Sequence, residues 1–123
     1  MSLNYIRKYP SPGEILESNP LPVDLKDIKK KRDELIRNIF TGGDSRMLLL
    51  IGPCSAHDAE AVYEYVSRLA KLQERVKEKL VLMPRIYTNK PRTTGKGYKG
   101  MLHQPDHREN PDMTKGLLAI REM

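Results

Sequence analysis

The chain has 123 residues, with 22 Lys and Arg against 16 Asp and Glu, a formal charge of +6 and a pI near 9.5. With 38% hydrophobic and 31% charged residues, it is neither an apolar-poor disordered chain nor a membrane-spanning bundle, and its length allows one compact domain at most. A single cysteine, Cys54, excludes an internal disulfide, so a reducing compartment, the cytoplasm, is the expected location.

Residues 1–23 carry Pro10, Pro12, Pro20 and Pro22 among Ser11, Gly13, Ser18 and Asn19, which predicts an extended arm that no helix can cross. Asp24 then precedes Leu25, Ile28, Arg32, Leu35, Ile36 and Ile39, a stripe of helical period. It predicts a helix from Leu25 to Phe40, capped by Asp24 and closed by Gly42-Gly43. Met47 to Ile51 is a continuous apolar run without polar alternation, the pattern of a strand buried on both faces. It is also the longest apolar run, far short of the roughly 18 residues of a spanning helix, and no basic start leads into an apolar signal core. No membrane association is expected.

Asp58 is placed to cap a second helix, in which Val62, Tyr65, Val66, Leu69, Leu72, Val76 and Leu80 share one face and Glu64, Arg68, Lys71 and Glu74 the other. A second apolar stretch, Leu80 to Tyr87, completes strand, crossover helix and strand, the size of a βαβ unit with parallel strands. Pro84 lacks a ladder donor, so a bulge or strand end is expected there. After a loop, Asn110-Pro111-Asp112 opens a third helix through Met113, Leu117, Ile120 and Met123. No glycine, asparagine or proline closes that stripe, and a truncated chain is the expectation. Met47, Met83 and Met113 read as core filling.

Two clusters can carry chemistry, and parallel strands place both at the carboxyl edge of the sheet, where α/β proteins build their sites. The first is Gly52-Pro53-Cys54-Ser55-Ala56-His57-Asp58. Cys54 there is compatible with a buried turn cysteine, a metal ligand or a nucleophile. The second runs from Arg85 to Gly100 and holds Arg85, Lys90, Arg92, Lys96 and Lys99 with no acid. Guanidinium forks, ammonium groups, threonine hydroxyls and glycine-spaced amides suit a phosphate; a solvated basic loop is the plainer reading. Tyr87 and Tyr98 could stack bases, but two aromatics and otherwise mixed charge argue against nucleic acid. His103 and His107 have the spacing of a helical metal pair, yet Pro105 separates them and favours a structural role. His57 beside Asp58 reads as a turn residue.

Together these segments resemble the type I 3-deoxy-D-arabino-heptulosonate 7-phosphate synthases. The resemblance rests on Ile51-Gly52-Pro53-Cys54-Ser55-Ala56-His57-Asp58, Pro84-Arg85-Ile86-Tyr87, Lys90-Pro91-Arg92-Thr93-Thr94 and Gly97-Tyr98-Lys99-Gly100, in that order, and covers about Asp44 to Met123. It implies an α/β fold, the amino-terminal part of a (β/α)8 TIM barrel with an N-terminal helical extension. Residues 1–45 would form the extension, a proline-rich arm plus helix, and 46–123 the first βα units of a truncated barrel. The implied reaction is an aldol-like condensation of phosphoenolpyruvate with erythrose 4-phosphate that releases phosphate, the first step of the shikimate pathway. Cys54 would ligate a divalent metal (Mn, Fe, Co or Zn), Arg85 would hold phosphoenolpyruvate, and Lys90, Pro91, Arg92 and Thr93 would line the erythrose 4-phosphate site, with Lys90 catalytic near the reacting centre. The family's other metal ligands, a His, a Glu and an Asp, lie on later strands that this chain does not contain, so the chain alone is expected to be inactive. A possible aromatic amino acid effector and a homo-oligomer at full length are further expectations.

Two alternatives remain. The related 3-deoxy-octulosonate 8-phosphate synthases typically carry Lys-Ala-Asn-Arg-Ser where this chain has Lys90-Pro91-Arg92-Thr93-Thr94, which favours the four-carbon aldose. A non-catalytic basic binding fragment would instead show salt-sensitive oligonucleotide binding.

Overall fold

A computed structural model describes residues 6–123 of the chain. Its elements are α1 (Pro12–Ser18), α2 (Val23–Phe40), β1 (Met47–Ile51), α3 (Ala59–Val76), β2 (Leu80–Pro84) and α4 (Met113–Glu122). This is an α/β arrangement in which β1 and β2 pair in parallel with α3 as the crossover, in the register Met47↔Leu80 through Ile51↔Pro84.

The arm is not extended throughout, because α1 fits between its prolines; residues 1–5 of that expectation lie outside the described residues. Pro12 occupies the first turn, where a missing N–H costs nothing. Ser11 and Glu14 close a capping box: the Ser11 Oγ accepts from the Glu14 N–H at 3.3 Å and the Glu14 Oε2 from the Ser11 N–H at 2.6 Å. These bonds, the one from the Ser11 backbone foremost, hold the Glu14 carboxyl below its ordinary pKa. Helix α2 begins at Val23 rather than after Asp24. Pro22 is its N-cap without a side-chain bond, and Asp24 sits inside the first turn. The helix stops at Phe40, followed by a Thr41 cap.

Entry into β1 is fixed by Arg46, whose guanidinium grips Asp44 at 2.6 Å and also donates to the Lys77 carbonyl at 3.0 Å. The bonds from the Arg46 side chain and backbone N–H draw the Asp44 pKa down to about 2. The expectation that β1 is buried on both faces is corrected: Met47 is 66% exposed and Leu50 58%. Burial of both faces needs a layer on each side, and the described residues do not supply it around β1. Met47 therefore does not fill a core. Helix α3 ends at Val76, so Leu80 belongs to β2 rather than to the helical stripe. As anticipated, Asp58 caps α3, its Oδ1 accepting from the Ala61 N–H at 2.9 Å, and Pro84 stands at a strand end. Residues 85–87 follow it without strand assignment.

The buried apolar residues are Ala56, Val62, Leu69, Val81, Leu82 and Met101. Val62 and Leu69 lie on α3 and Val81 and Leu82 on β2, and α3 packs against β2. On the side of β2 away from β1, the Gln73 carboxamide donates to the Leu80 carbonyl at 2.9 Å and accepts from the Leu82 N–H at 2.6 Å. Asp112 caps α4 by accepting from the Thr114 and Lys115 N–H groups at 2.9 and 3.2 Å, and Arg121 ties α4 to the end of α1 through the Asn19 carbonyl at 3.0 Å. Among the described residues no helix is long and apolar enough to cross a membrane.

Candidate functional site

The two motif-bearing segments leave β1 and β2 side by side, as parallel pairing demands. The Arg85 N–H donates to the Ile51 carbonyl and the Ala56 N–H to the Tyr87 carbonyl, both at 2.9 Å. Gly52 permits the approach, since a Cβ there would lie 1.8 Å from the Arg85 carbonyl oxygen. Cys54 is exposed at the tip of the first segment, and the Lys90 Nζ reaches its Sγ at 3.5 Å. Arg85 donates to the Pro53 carbonyl at 3.1 Å and lies over the Tyr87 ring, 5.0 Å from its centroid. Cys54, Arg85 and Lys90, from separate sequence segments, thus meet at one edge.

Beyond Lys90 the basic segment folds back on itself. The Lys90 N–H donates to the Lys99 carbonyl at 2.7 Å and Arg92 Nε to the Tyr98 carbonyl at 2.9 Å. Gly100 makes the return possible: its φ is +102°, and a Cβ there would meet the Thr88 carbonyl at 2.3 Å. Pro91, Arg92 and Thr93 are exposed around this bend. The Tyr98 hydroxyl, donating to the Gln104 carbonyl at 3.2 Å, has its pKa raised by burial. The site is therefore a cationic, open surface on a rigidly bonded frame.

His57 stays beside the Ser55 carbonyl at 3.5 Å, and His103 Nε2 pairs with Asn89 Oδ1 at 3.2 Å. Among the described residues no three His, Cys, Asp or Glu side chains gather to hold a metal ion. Cys54 offers one thiol donor, so a metal centre does not fit the residues present without ligands from elsewhere. Sequence reasoning missed Gln104, whose role appears only when the loop closes on it, and buried Met101. The paired glycines around Tyr98 were the available signal for the bend.

The model of the DAHP synthetase I family matches residues 21–122. The chain belongs to the DAHP synthetase I family. Within that family it is similar to the phospho-2-dehydro-3-deoxyheptonate aldolase of Corynebacterium glutamicum, 38% identical over 93% of this chain and 31% of the relative. The phenylalanine-inhibited enzyme of Saccharomyces cerevisiae is 40% identical over 92% of this chain and 30% of its own. Among solved structures, the aldolase of Francisella tularensis superposes with a TM-score of 0.77 at 30% identity, covering 95% of this chain and 34% of that one. This DAHP synthetase I chain spans about a third of the length of the relatives it matches.

Proposed function

We propose that this chain supplies the first βα units of a (β/α)8 barrel and part of a 3-deoxy-7-phosphoheptulonate synthase site, joining phosphoenolpyruvate to erythrose 4-phosphate with release of phosphate. The observation that carries the reading is Lys90 at 3.5 Å from Cys54 on an acid-free cationic edge beside Arg85. Two anionic substrates repel each other, and fixed cations offset that repulsion while holding the partners in reacting geometry. In this reading Arg85 binds phosphoenolpyruvate. Lys90, Pro91, Arg92 and Thr93 line the erythrose 4-phosphate site, with Lys90 next to the reacting carbonyl. Residues 1–45 act as an extension and 46–123 as barrel.

A divalent metal, Mn, Fe, Co or Zn, belongs to the same reading, with Cys54 as the one ligand this chain contributes and the others drawn from further barrel strands. When bound, such an ion would polarise the aldehyde as a Lewis acid. The names of relatives, phenylalanine-inhibited and Trp-sensitive, support an aromatic amino acid effector, and a homo-oligomer is proposed for the complete enzyme.

The test is a fusion of this chain to the part of the Corynebacterium glutamicum relative that lies beyond the matched segment. The fusion should release inorganic phosphate from phosphoenolpyruvate only when erythrose 4-phosphate is present, and Lys90→Ala should abolish the release. A folded fusion that releases none, or one indifferent to Lys90→Ala, overturns the reading.

A further inference from the structure

Arg92 is exposed, yet its guanidinium does not choose its own direction. Nε donates to the Tyr98 carbonyl at 2.9 Å, which leaves the two terminal nitrogens, the pair that faces a phosphate in bidentate contact. Tyr98 is tied in turn, its half-buried hydroxyl donating to the Gln104 carbonyl at 3.2 Å. Gln104 is the hub behind it. Its side-chain amide donates to the Glu109 carbonyl at 2.7 Å and the His107 carbonyl at 3.3 Å, and its N–H donates to the Gly100 carbonyl at 3.1 Å. Side-chain and backbone groups of Tyr98 and Gln104 thus link the turn before α4, residue by residue, to the guanidinium.

We propose that Tyr98 and Gln104 are positioning residues that aim the terminal nitrogens of Arg92 at the phosphate of the aldose substrate. The inference rests on the functional reading above and deepens it. A long, flexible side chain on an exposed loop loses rotamer freedom when it binds an anion, and fixing it beforehand removes that loss from the binding step. This linkage reaches Arg92 but not Arg85, whose own supports are the Pro53 carbonyl and the Tyr87 ring. Positioning by Tyr98 and Gln104 therefore acts on one substrate only.

Steady-state kinetics of the fusion, with each substrate varied in turn, test this. Tyr98→Phe should raise the KM for erythrose 4-phosphate about threefold to tenfold, from the loss of one hydrogen bond, and leave the KM for phosphoenolpyruvate unchanged. Gln104→Leu should act in the same direction. In an Arg92→Ala background Tyr98→Phe should have no further effect, because nothing is left to aim. A merely structural role would move both KM values, and would do so with or without Arg92; that result, or an unchanged aldose KM in Tyr98→Phe, overturns the proposal. If Gln104→Leu fails to fold, Tyr98→Phe, which removes one oxygen, decides alone. An Arg92→Ala enzyme with wild-type aldose KM instead overturns the reading of the loop itself, and this inference with it.

Discussion

The meeting of Cys54 and Lys90 depends on glycines that carry no chemistry. A Cβ on Gly52 would fall 1.8 Å from the Arg85 carbonyl, and rigid backbone cannot yield as a side chain can. Gly52→Ala should therefore destabilise the fusion by about 3 kcal/mol or more in denaturant unfolding. Among the charged groups, Arg85→Ala should weaken use of phosphoenolpyruvate and Arg92→Ala use of erythrose 4-phosphate, each by about 1.5–3 kcal/mol of transition-state binding, read from kcat/KM. Equal loss for both substrates from either change would contradict the division of labour. That Cys54, Arg85 and Lys90 meet at one sheet edge was legible in the sequence, because both motifs directly follow the apolar runs of paired parallel strands. Gln104 was not, since Tyr98 becomes its neighbour only after the chain reverses at Gly100, and its bonds to His107 and Glu109 need the turn that follows it.

Elements were legible where one local signal fixed them and obscure where a second layer decides. Asp58 both announces and caps α3, so Asp58→Ala should lower stability by about 1 kcal/mol, within the 0.5–2 typical of lost caps, measurable as a shifted denaturant midpoint at unchanged slope. The arm shows the opposite case. Counting prolines hid α1, whose capping box and favourable Pro12 start needed only residues 11–18. The exposure of β1 was hidden for a different reason: an apolar run reports what a strand can bury, not whether anything covers it. At the start of β1, Asp44 titrates at about 2 against an ordinary 3.8 because Arg46 bonds its carboxylate. A depressed carboxyl pKa stabilises the fold above the unfolded value and loses that contribution as pH falls through the folded one. Asp44→Asn should thus lower stability above about pH 4, where the pair contributes, and flatten the stability curve between about pH 4 and 2, where that contribution is lost.

At the scale of the molecule, apolar surface outruns cover. Ile28 is 54% exposed, and it lines an open groove between α2 and α3 with Ile36, Val66, Leu69 and Met83. The 123-residue chain alone should consequently bind a hydrophobic dye, unfold with low cooperativity and release no phosphate from the two substrates. A dye-silent chain with a sharp transition would refute this. The two sheet edges will not be equally adhesive, however. Odd residues of β2 face β1, as the bonds of Lys79 and Arg85 to Met47 and Ile51 show, so Leu80 and Leu82 present their peptide groups outward. There the Gln73 carboxamide impersonates a neighbouring strand, one carbonyl and one N–H spaced like a peptide unit. Any strand annealing to β2 must first evict an intramolecular competitor, whereas β1, bordered by β2 alone, can be joined by simple collision. Growth of aggregates should then start from β1, and Gln73→Leu should open a second front and shorten the lag in a light-scattering assay. A lag unchanged by that substitution would mean the mimicry shields nothing.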